Sequence, residues 1–370
     1  MSITRRTRHW FVAVAALTSA ACTARGRPSL DDDLDRLLAA YLGDHPGACV
    51  LVRHQGTALR EHCVGMAELE THRATTPLTN FRLASVTKQF TATAILTLIA
   101  DGRLDSATTL RQALPGFPPW ADGITIHQLL THTSGLPDYE DLLPADTERQ
   151  VTDAEVVQLL RAQDSTAFAA GSAYHYSNSG YAVLAEIVAA VSGETFGQYL
   201  DRAVFIPLGM TTSVAHVEGV SSVARRAYGY SRATDTAWIR TDQSTTSAVL
   251  GDGGIYTSVR DLDRWFAAVE GRRPLLPDDL ADRMFVAATT TDREGVGYGY
   301  GWFLDRVGSQ RRFFHTGTTI GFRNAVQRLP DDDLTLVFLS NRNEIETGLV
   351  DSLVAAVRGH LGRVRAREGA

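Results

Sequence analysis

Lysine is almost absent from this chain, since Lys88 is the only lysine among 36 Lys and Arg residues. An arginine guanidinium stays protonated at any pH that a protein meets, whereas burial can lower the pKa of a lysine amine until it acts as a base. Lys88 lies three residues after a serine, in Ser85-Val86-Thr87-Lys88. Two interpretations are open at this point: arginine-rich codon usage left one surface lysine, or the chain keeps an amine here for chemistry.

A basic surface is also missing. The formal net charge is −6, and Arg5, Arg6 and Arg8 stand in a leader without acidic residues, so the rest of the chain is more acidic still. Bulk charge therefore argues against nucleic-acid binding. With 370 residues, 44% of them hydrophobic and 21% charged, the composition is that of a globular enzyme with one large domain or two intimate ones.

The apolar segment near the N-terminus, residues 10–17, is too short to span a bilayer comfortably. It follows arginines and precedes Ser19-Ala20-Ala21, which is the pattern of a cleaved export signal. Cys22 comes next, so residues 1–22 resemble a bacterial lipoprotein signal, although Ser19 replaces the large aliphatic residue preferred there. We expect an exported protein that is extracellular, periplasmic or lipid-anchored at the bacterial cell surface. Membrane contact is expected only through a lipid on Cys22.

Cysteine is scarce, with three residues in all. If Cys22 carries lipid, Cys49 and Cys63 remain as a pair in an oxidising compartment. They lie in two strand-like runs, 48–54 and 57–67, that are predicted to form a hairpin. A three-residue turn would place the two side chains opposite each other on one face, whereas a two-residue turn would place them on opposite faces. A disulfide and two buried free thiols both remain open.

Strand patterns occur at both ends of the chain, and helical patterns dominate the middle. This order predicts an α/β (α+β) fold with an antiparallel sheet flanked by helices and an inserted, mainly helical domain. Residues 29–104 and 250–364 would form the α/β domain, and residues 105–249 the helical one. Further strands are predicted at 298–306, 311–315, 322–329 and 334–340. Helices are predicted at 30–42, from Ser85 through 90–100, and at 151–162, 180–191 and 346–363.

The first of three motifs that carry chemistry is Ser85-x-x-Lys88. Residues at i and i+3 share one face of a helix, so the hydroxyl and the amine are expected to be neighbours. A serine at a helix N-terminus also lies at the positive end of the helix dipole, which favours developing negative charge. An unprotonated lysine beside it can remove the serine proton if burial or a second cation lowers the pKa of the amine.

The second and third motifs are Tyr176-Ser177-Asn178 and His315-Thr316-Gly317. A tyrosine is a poor base unless a cation such as Lys88 stabilises its phenolate, while Asn178 offers a donor and an acceptor to an amide or to the lysine. Gly317 ends a strand, where glycine would let a substrate backbone approach closely. Taken alone, the first of these motifs is better explained as a polar loop and the second as a structural histidine.

In this order the three motifs resemble those of the serine β-lactamase and penicillin-binding-protein superfamily. The likeness is strongest to the branch with class C β-lactamases, D-amino-acid-specific carboxypeptidases and related esterases. The family patterns are S-x-x-K, Y-x-N, and K-T-G or H-x-G. Supporting stretches are L-L-T-H-T-S-G-L-P-D at 129–138, P-L-G-M at 207–210 and G-G-I-Y-T-S at 253–258. The resemblance covers residues 30 to 362 and implies a β-lactamase/transpeptidase-like fold.

The resemblance implies a role for each matched residue. Ser85 would be the nucleophile that forms an acyl-enzyme, and Lys88 and Tyr176 would share the work of the general base. Asn178 would position the substrate and Lys88. The strand from His315 through Thr316 and Gly317 to Thr318 would bind the substrate, with the backbone N–H groups of Ser85 and Thr318 forming the oxyanion hole. Water would release the acyl group, so no metal or other cofactor is implied.

Departures from the family pattern bear on the substrate. The strand motif of the β-lactamases in this branch usually begins with a lysine, and here it begins with His315, which is expected to titrate near neutral pH. The loss of a permanent cation weakens the β-lactamase interpretation and favours an esterase or a peptidase. Arg323 either replaces that cation or is an ordinary surface arginine. His132 is expected to order its loop by hydrogen bonding rather than to take part in catalysis.

The sequence therefore predicts an exported serine hydrolase that acts through Ser85 on an ester, an amide or a β-lactam. Its substrate would be a small molecule or a peptidoglycan-type peptide. The alternative is a non-turnover protein of the same fold, either a penicillin-binding sensor that acylates and stalls or an inactive scaffold. The presence of all the catalytic residue types favours turnover.

Overall fold

The computed structural model describes residues 29–234 and 237–368. The predicted export segment 1–22, with Cys22, lies outside the described residues. Within the described part of the chain, none of the helices combines the length and the apolar composition that crossing a bilayer requires.

The strands and helices follow one another along the described residues, and some depart from the predicted bounds: the first helix ends at Leu37 rather than at residue 42, and the last runs over Leu349–Glu368 rather than 346–363. The strands are β1 (Ala48–His54), β2 (Thr57–Val64), β3 (Met66–Glu68), β4 (Arg73–Ala74), β5 (Phe81–Arg82), β6 (Val214–Ala215), β7 (Tyr230–Arg232), β8 (Trp238–Arg240), β9 (Ile255–Thr257), β10 (Thr289–Thr290), β11 (Gly297–Tyr298), β12 (Phe303–Val307), β13 (Gln310–Thr319), β14 (Phe322–Leu329) and β15 (Leu334–Ser340). The helices are α1 (Leu30–Leu37), α2 (Lys88–Ala100), α3 (Leu110–Ala113), α4 (Ile126–Leu130), α5 (Tyr139–Leu142), α6 (Asp153–Arg161), α7 (Asn178–Ser192), α8 (Phe196–Leu200), α9 (Ile206–Leu208), α10 (Leu250–Gly253), α11 (Val259–Val269), α12 (Asp278–Asp282) and α13 (Leu349–Glu368).

An eight-stranded antiparallel sheet joins the two ends of the chain. Its order is β10-β11-β12-β13-β14-β15-β1-β2, so the N-terminal hairpin adds to one edge of the C-terminal strands. Within this sheet, the N-terminal and C-terminal strands meet in the pairing of β1 with β15, in register from Ala48↔Ser340 to His54↔Leu334. The predicted mixed fold, with a large antiparallel sheet and flanking helices, is confirmed.

Each face of the sheet covers its own core because successive strand residues point to opposite sides. Val50 and Phe338 belong to the cluster that packs under α1 and α13. Leu51 and Val337 belong to the larger cluster on the opposite face, which continues through α2 and α7. Helix α2 is almost wholly buried and most of helix α7 is buried, so the middle of the chain packs directly on the α/β part.

Residues 105–249, predicted to be mainly helical, contain α3 to α9 and also the short strands β6, β7 and β8. Strand β6 pairs with β9, which in turn pairs with β5. The predicted strand 298–306 is divided in the structure, since β11 ends at Tyr298 and β12 begins at Phe303. Gly301, with a φ of +78°, forms the turn between them, and a Cβ there would lie 2.9 Å from the carbonyl oxygen of Lys88.

The hairpin of β1 and β2 brings Cys49 opposite Cys63 although its turn has only two residues. The register begins as His54↔Thr57 and Arg53↔Ala58 and then shifts by one residue at a bulge, so that Val52 pairs with Arg60. The extra residue on β2 reverses which face each later side chain takes. The two cysteines are therefore directly paired, and their Sγ atoms are bonded to each other.

We predict that breaking this disulfide destabilises the fold. A cross-link that closes a loop of about 15 residues is expected to add about 3 kcal/mol by limiting the unfolded chain. Cys63→Ser should therefore lower the free energy of unfolding by an amount of that order in urea titration under non-reducing conditions. The unmodified protein in reducing agent is the matched control and should fall to the same value. A non-reducing mass that shows two free thiols would contradict the disulfide itself.

Candidate active site

Ser85 lies on a short 3₁₀ turn rather than on the α-helix that its spacing to Lys88 predicted. The turn covers Ala84–Thr87, and the α-helix α2 begins at Lys88. Ala84 just before the serine has a φ of +51°, which is a strained conformation for a residue with a side chain. The turn is held because Leu83 N–H donates to the carbonyl oxygen of Ile255 at 2.8 Å. The serine is thus presented at a sharp corner between β5 and α2.

Lys88 is fully buried, and its Nζ lies near three oxygen atoms. The distances are 3.3 Å to Ser85 Oγ, 2.8 Å to Asn178 Oδ1 and 3.0 Å to the backbone carbonyl oxygen of Asp252. A neutral amine fits these positions by donating to the two carbonyl-type oxygens and accepting from the serine hydroxyl. Burial lowers the pKa of Lys88 below its usual value of 10.5, and the nearby carboxylates of Asp252, Glu140 and Asp138 oppose this shift.

Tyr176 stands beside the amine with its ring centroid 5.0 Å from Lys88 Nζ. Its ring stacks on Phe303 at 6.1 Å and lies 4.3 Å from the imidazole of His132. Burial raises the pKa of Tyr176 above its usual value, while a hydrogen bond with Ser85 acts in the opposite direction. The phenol is therefore the stable form, and of the two groups Lys88 is better suited to be the base.

Asn178 is the first residue of α7 and joins Lys88 to a carboxylate. Ser177 caps this helix by accepting a hydrogen bond from Gly180 N–H at 3.1 Å. While Asn178 Oδ1 accepts from Lys88, its Nδ2 donates to Glu140 Oε1 at 3.2 Å. Glu140 is exposed on α5, so a negative charge stands at the opening of the site.

Strand β13 forms the other wall of the site. Strand β12 pairs only with Gln310–Phe314 of this strand, so among the described strands the segment from His315 to Thr319 lacks a neighbour on that side. Thr316 and Thr318 are exposed, whereas His315 and Gly317 are buried. The alternation turns the two threonines outward and the histidine inward, as expected along a strand.

His315 was expected to titrate near neutral pH, but burial lowers its pKa, and this burial could not be predicted from the sequence. The side chain is 1% exposed, and burial together with the nearby Lys88 lowers its pKa to about 3. Its Nδ1 lies 2.7 Å from the carbonyl oxygen of Thr316, to which it must donate, and its Nε2 then accepts from Tyr298 Oη at 3.3 Å. The imidazole is neutral and supplies no cation to a substrate.

Gly317 is required by the packing of the chain itself, and the expectation that glycine there admits a substrate backbone stays a prediction. A Cβ at this position would lie 2.1 Å from the carbonyl oxygen of Leu83. The strand therefore packs directly on the backbone that leads into Ser85. Asn324, paired with Gly317 across the sheet, donates from Nδ2 to the carbonyl oxygens of Arg82 and Leu83 at 2.8 and 3.1 Å, which fixes the same corner.

Two side chains with uncertain roles in the sequence have structural partners. His132 is buried with a φ of +60°, and its Nδ1 accepts from Ser177 N–H at 3.0 Å, so it orders the segment that carries Tyr176. Arg323 lies across the sheet from Thr318, and its Nη1 donates to the carbonyl oxygens of Thr319 and Phe322 at 2.8 Å each. That nitrogen of Arg323 holds the turn between β13 and β14.

Two carboxylates near Lys88, those of Glu140 and Asp252, were not predicted from the sequence. Their positions in the sequence offered the available signal for a place near the site. Glu140 follows the family-like stretch 129–138, and Asp252 precedes the family-like stretch 253–258. Neither shows from sequence alone that it folds against the lysine. The other candidates, Ser85, Lys88, Tyr176, Asn178 and the strand from His315 to Thr318, are brought together as described above.

We predict that Gly317→Ala damages the corner at Ser85. The added Cβ must push the Leu83 carbonyl away, and such overpacking destabilises folds by about 1–3 kcal/mol. Thermal unfolding should show a lower Tm, and any activity that depends on Ser85 should fall more than tenfold. Gly123→Ala is the matched control, since nothing lies within 4 Å of a Cβ there. A Gly317→Ala variant as stable and as active as the control would refute the close contact.

Comparison with known proteins agrees with this geometry. The profile of the family described as Beta-lactamase matches residues 14–358. Penicillin-binding protein 4* of Bacillus subtilis (strain 168) is 31% identical over 314 residues, which cover 80% of this chain and 68% of that protein. A D-aminopeptidase of Brucella anthropi is 28% identical over 334 residues, which cover 87% of this chain and 62% of that protein. The chain thus spans less than two thirds of the D-aminopeptidase.

A solved structure shows the same fold. The octameric penicillin-binding protein homologue from Pyrococcus abyssi superposes with a TM-score of 0.77 at 23% identity, covering 89% of this chain and 77% of that one. The predicted superfamily is confirmed, while the class C-like branch stays a prediction. The chain belongs to the Beta-lactamase family, within the serine β-lactamase and penicillin-binding-protein superfamily of serine hydrolases.

Proposed function

We propose that this protein is an exported serine hydrolase that forms an acyl-enzyme at Ser85 and cleaves an amide or ester bond of a small substrate. The observation that carries the proposal is the 3.3 Å contact between Ser85 Oγ and the Nζ of a fully buried Lys88. A buried amine with a lowered pKa is available as a base near neutral pH, and a serine hydroxyl within its reach is an activated nucleophile.

In the proposed acylation, the neutral amine of Lys88 takes the Ser85 proton while Oγ attacks the substrate carbonyl carbon. The backbone N–H groups of Ser85 and Thr318 would stabilise the oxyanion, and loss of one such donor typically costs about 2.7–4 kcal/mol of transition-state stabilisation. Tyr176 stays a phenol, so it can pass a proton to the leaving group and recover one from the Lys88 ammonium. Water then attacks the Ser85 ester, with Lys88 taking the water proton, and the acid product leaves with Ser85 restored.

The charges around the site support an acyl group that carries a free amine. The neutral His315 offers no partner to a carboxylate, whereas the exposed Glu140 reaches Asn178 and presents an anion. The D-aminopeptidase relative supports the same substrate class by its name. We therefore propose an amino-acid amide, ester or peptide with a free α-amino group, rather than a β-lactam, as the preferred substrate.

Export is proposed on the leader 1–22 and on the disulfide of Cys49 with Cys63, which suits an oxidising compartment. Attachment through lipid on Cys22 is part of this proposal. Globomycin, which blocks lipoprotein signal cleavage, should cause the full-length precursor to accumulate if Cys22 is lipidated. Unchanged processing in its presence would contradict the anchor.

We predict that the purified protein hydrolyses a nitrophenyl ester and a D-amino-acid amide faster than a chromogenic cephalosporin. Ser85→Ala should abolish turnover because the nucleophile is gone. Lys88→Arg should keep the fold but lose at least about a hundredfold in kcat, which is the typical scale of general-base catalysis, because the charge remains while the titratable amine is lost. Steady-state rates and circular dichroism measure both effects.

An active Ser85→Ala variant would contradict the assigned nucleophile. Covalent labelling of Ser85 without steady turnover on any of the three substrates would support the alternative of a penicillin-binding sensor. Substantial turnover by Lys88→Arg would show that the amine is not the base.

We also predict that Glu140→Gln removes a preference for a free amine. The variant should raise KM for a D-amino-acid nitroanilide several-fold and leave KM for its N-acetyl analogue unchanged, because only the first carries an ammonium. Asp141→Asn is the matched comparison: it removes an exposed carboxylate from the next position of α5 and should leave the amine preference unchanged. An equal effect of Glu140→Gln on both substrates would contradict amine recognition.

A further inference from the structure

A buried carboxylate lies near the catalytic lysine. Asp252 belongs to the single-turn helix α10, and its side chain is 7% exposed. Its backbone carbonyl oxygen accepts from Lys88 Nζ at 3.0 Å, so the residue is in direct contact with the amine. Its carboxylate oxygen Oδ2 accepts from the hydroxyl of Tyr139 at 3.2 Å, inside the protein. A chain that buries a carboxylate here must compensate the loss of its hydration.

The compensation comes from positive charge nearby. Burial raises the pKa of Asp252, and Lys88 followed by Arg82 acts most strongly in the opposite direction. The guanidinium of Arg82 is itself held by the backbone, since its Nε donates to the carbonyl oxygen of Gly253 at 3.2 Å. In return, Asp252 raises the pKa of Lys88 more than Glu140 and Asp138 do. The lysine and this aspartate therefore set each other's charge.

The other titratable groups that face Lys88 are neutral or nearer to solvent. The imidazoles of His132 and His315 are kept neutral because burial lowers the pKa of each. The rings of Tyr176 and Tyr181 lie 5.0 and 5.4 Å from Nζ, and burial raises the pKa of both phenols.

Two further carboxylates face the lysine from the segment around α5. Asp138 caps α5 and is half-buried, and Glu140 on that helix is exposed. Their charges are better screened by water than that of a buried group. Asp252 is therefore the anion with the strongest hold on the charge of Lys88.

We propose that Asp252 is a positioning residue for proton transfer, acting as the counter-charge of the ammonium that Lys88 becomes when it takes the proton of Ser85. This inference rests on the proposed acyl-enzyme function. Before the step the pair carries one negative charge on Asp252; after it, the carboxylate and the ammonium form a neutral pair. Proton uptake from Ser85 thus places a second positive charge near the buried carboxylate, besides that of Arg82, which makes Lys88 a stronger base than burial alone would allow.

Tyr139 supports this role by keeping Asp252 ionised. Its hydroxyl donates to the carboxylate, which favours the charged form, and its backbone N–H donates to Ser179 Oγ at 2.8 Å, which fixes the start of α5. The same residue therefore links the buried anion to the helix that carries Glu140. Loss of the Tyr139 hydroxyl should weaken the effect of Asp252 without removing the carboxylate.

The test is the pH dependence of kcat/KM in four forms of the full-length protein: unmodified, Asp252→Asn, Tyr139→Phe and the double variant. In the unmodified enzyme kcat/KM should rise with pH through the lowered pKa of Lys88, because only the neutral amine accepts the proton. Asp252→Asn removes the anion that favours the ammonium, so this inflection should move to lower pH. A shift of about 1 to 3 pH units is typical when an opposite charge within about 4–6 Å is lost. The plateau at high pH should fall about tenfold or more, since a weaker base transfers the proton less effectively.

Tyr139→Phe should move the inflection in the same direction by a smaller amount, and the double variant should shift no further than Asp252→Asn alone. Glu186→Gln, which removes a half-buried carboxylate from α7, is the matched control for charge and should leave the inflection in place. A change that only disturbed packing would lower the plateau without moving the inflection.

The outcomes separate this inference from the function on which it rests. If Ser85→Ala and Lys88→Arg abolish turnover but Asp252→Asn and Tyr139→Phe leave the inflection unmoved, the role of Asp252 is overturned and the function stands. If the unmodified protein shows no inflection and Lys88→Arg stays active, the proposed function fails. Should Asp252→Asn not fold, Tyr139→Phe decides alone: an unmoved inflection overturns the inference.

Discussion

The active site depends on the burial of one amine, that of Lys88, away from water. Lys88 is the only lysine of the chain and is fully buried, where a free ammonium is unfavourable and a neutral amine becomes accessible. Three oxygens hold its nitrogen, and one of them is the hydroxyl of Ser85. Burial alone would only make the amine neutral. The carboxylate of Asp252 beneath it restores basicity, so the site combines a deprotonated lysine with a favourable place for the proton that it takes.

Lys88 is buried because the two ends and the middle of the chain pack around the short turn Ala84–Thr87. Strand β13 comes from the C-terminal part, helix α7 from the middle, and the turn before α2 from the N-terminal part. Contact of backbone with backbone requires glycine at two of the junctions: Gly317 lies on the Leu83 carbonyl, and Gly301 lies on that of Lys88. The eight-stranded sheet has a hydrophobic core on each face. Its rigidity holds Ala84 in its strained backbone conformation.

Local patterns in the sequence predicted secondary structure, whereas tertiary contacts could not be predicted from it. The hairpin of β14 and β15 was predicted with its observed bounds, because apolar runs flank an obvious turn at 330–333. The order of the three motifs resembles that of a known family, and this resemblance identified Ser85, Lys88, Tyr176 and His315 as candidate site residues. The 3₁₀ turn at Ser85 and the bulge that aligns the two cysteines depend on packing and pairing that no spacing reveals. Tertiary packing decided the rest: burial made His315 neutral, and the folding of α5 and α10 against the lysine brought Glu140 and Asp252 near it.

The proposed chemistry requires that the amine of Lys88 has a lowered pKa. Because Lys88 is the only lysine of the chain, its titration can be measured directly. Protein grown with lysine labelled with ¹³C at Cε gives one lysine signal in an NMR spectrum, so its titration needs no assignment. We expect a single transition at a pH clearly below the usual lysine pKa of 10.5. A signal that stays in the ammonium form up to or beyond that pH would contradict it, because a permanently charged lysine cannot take the proton of Ser85.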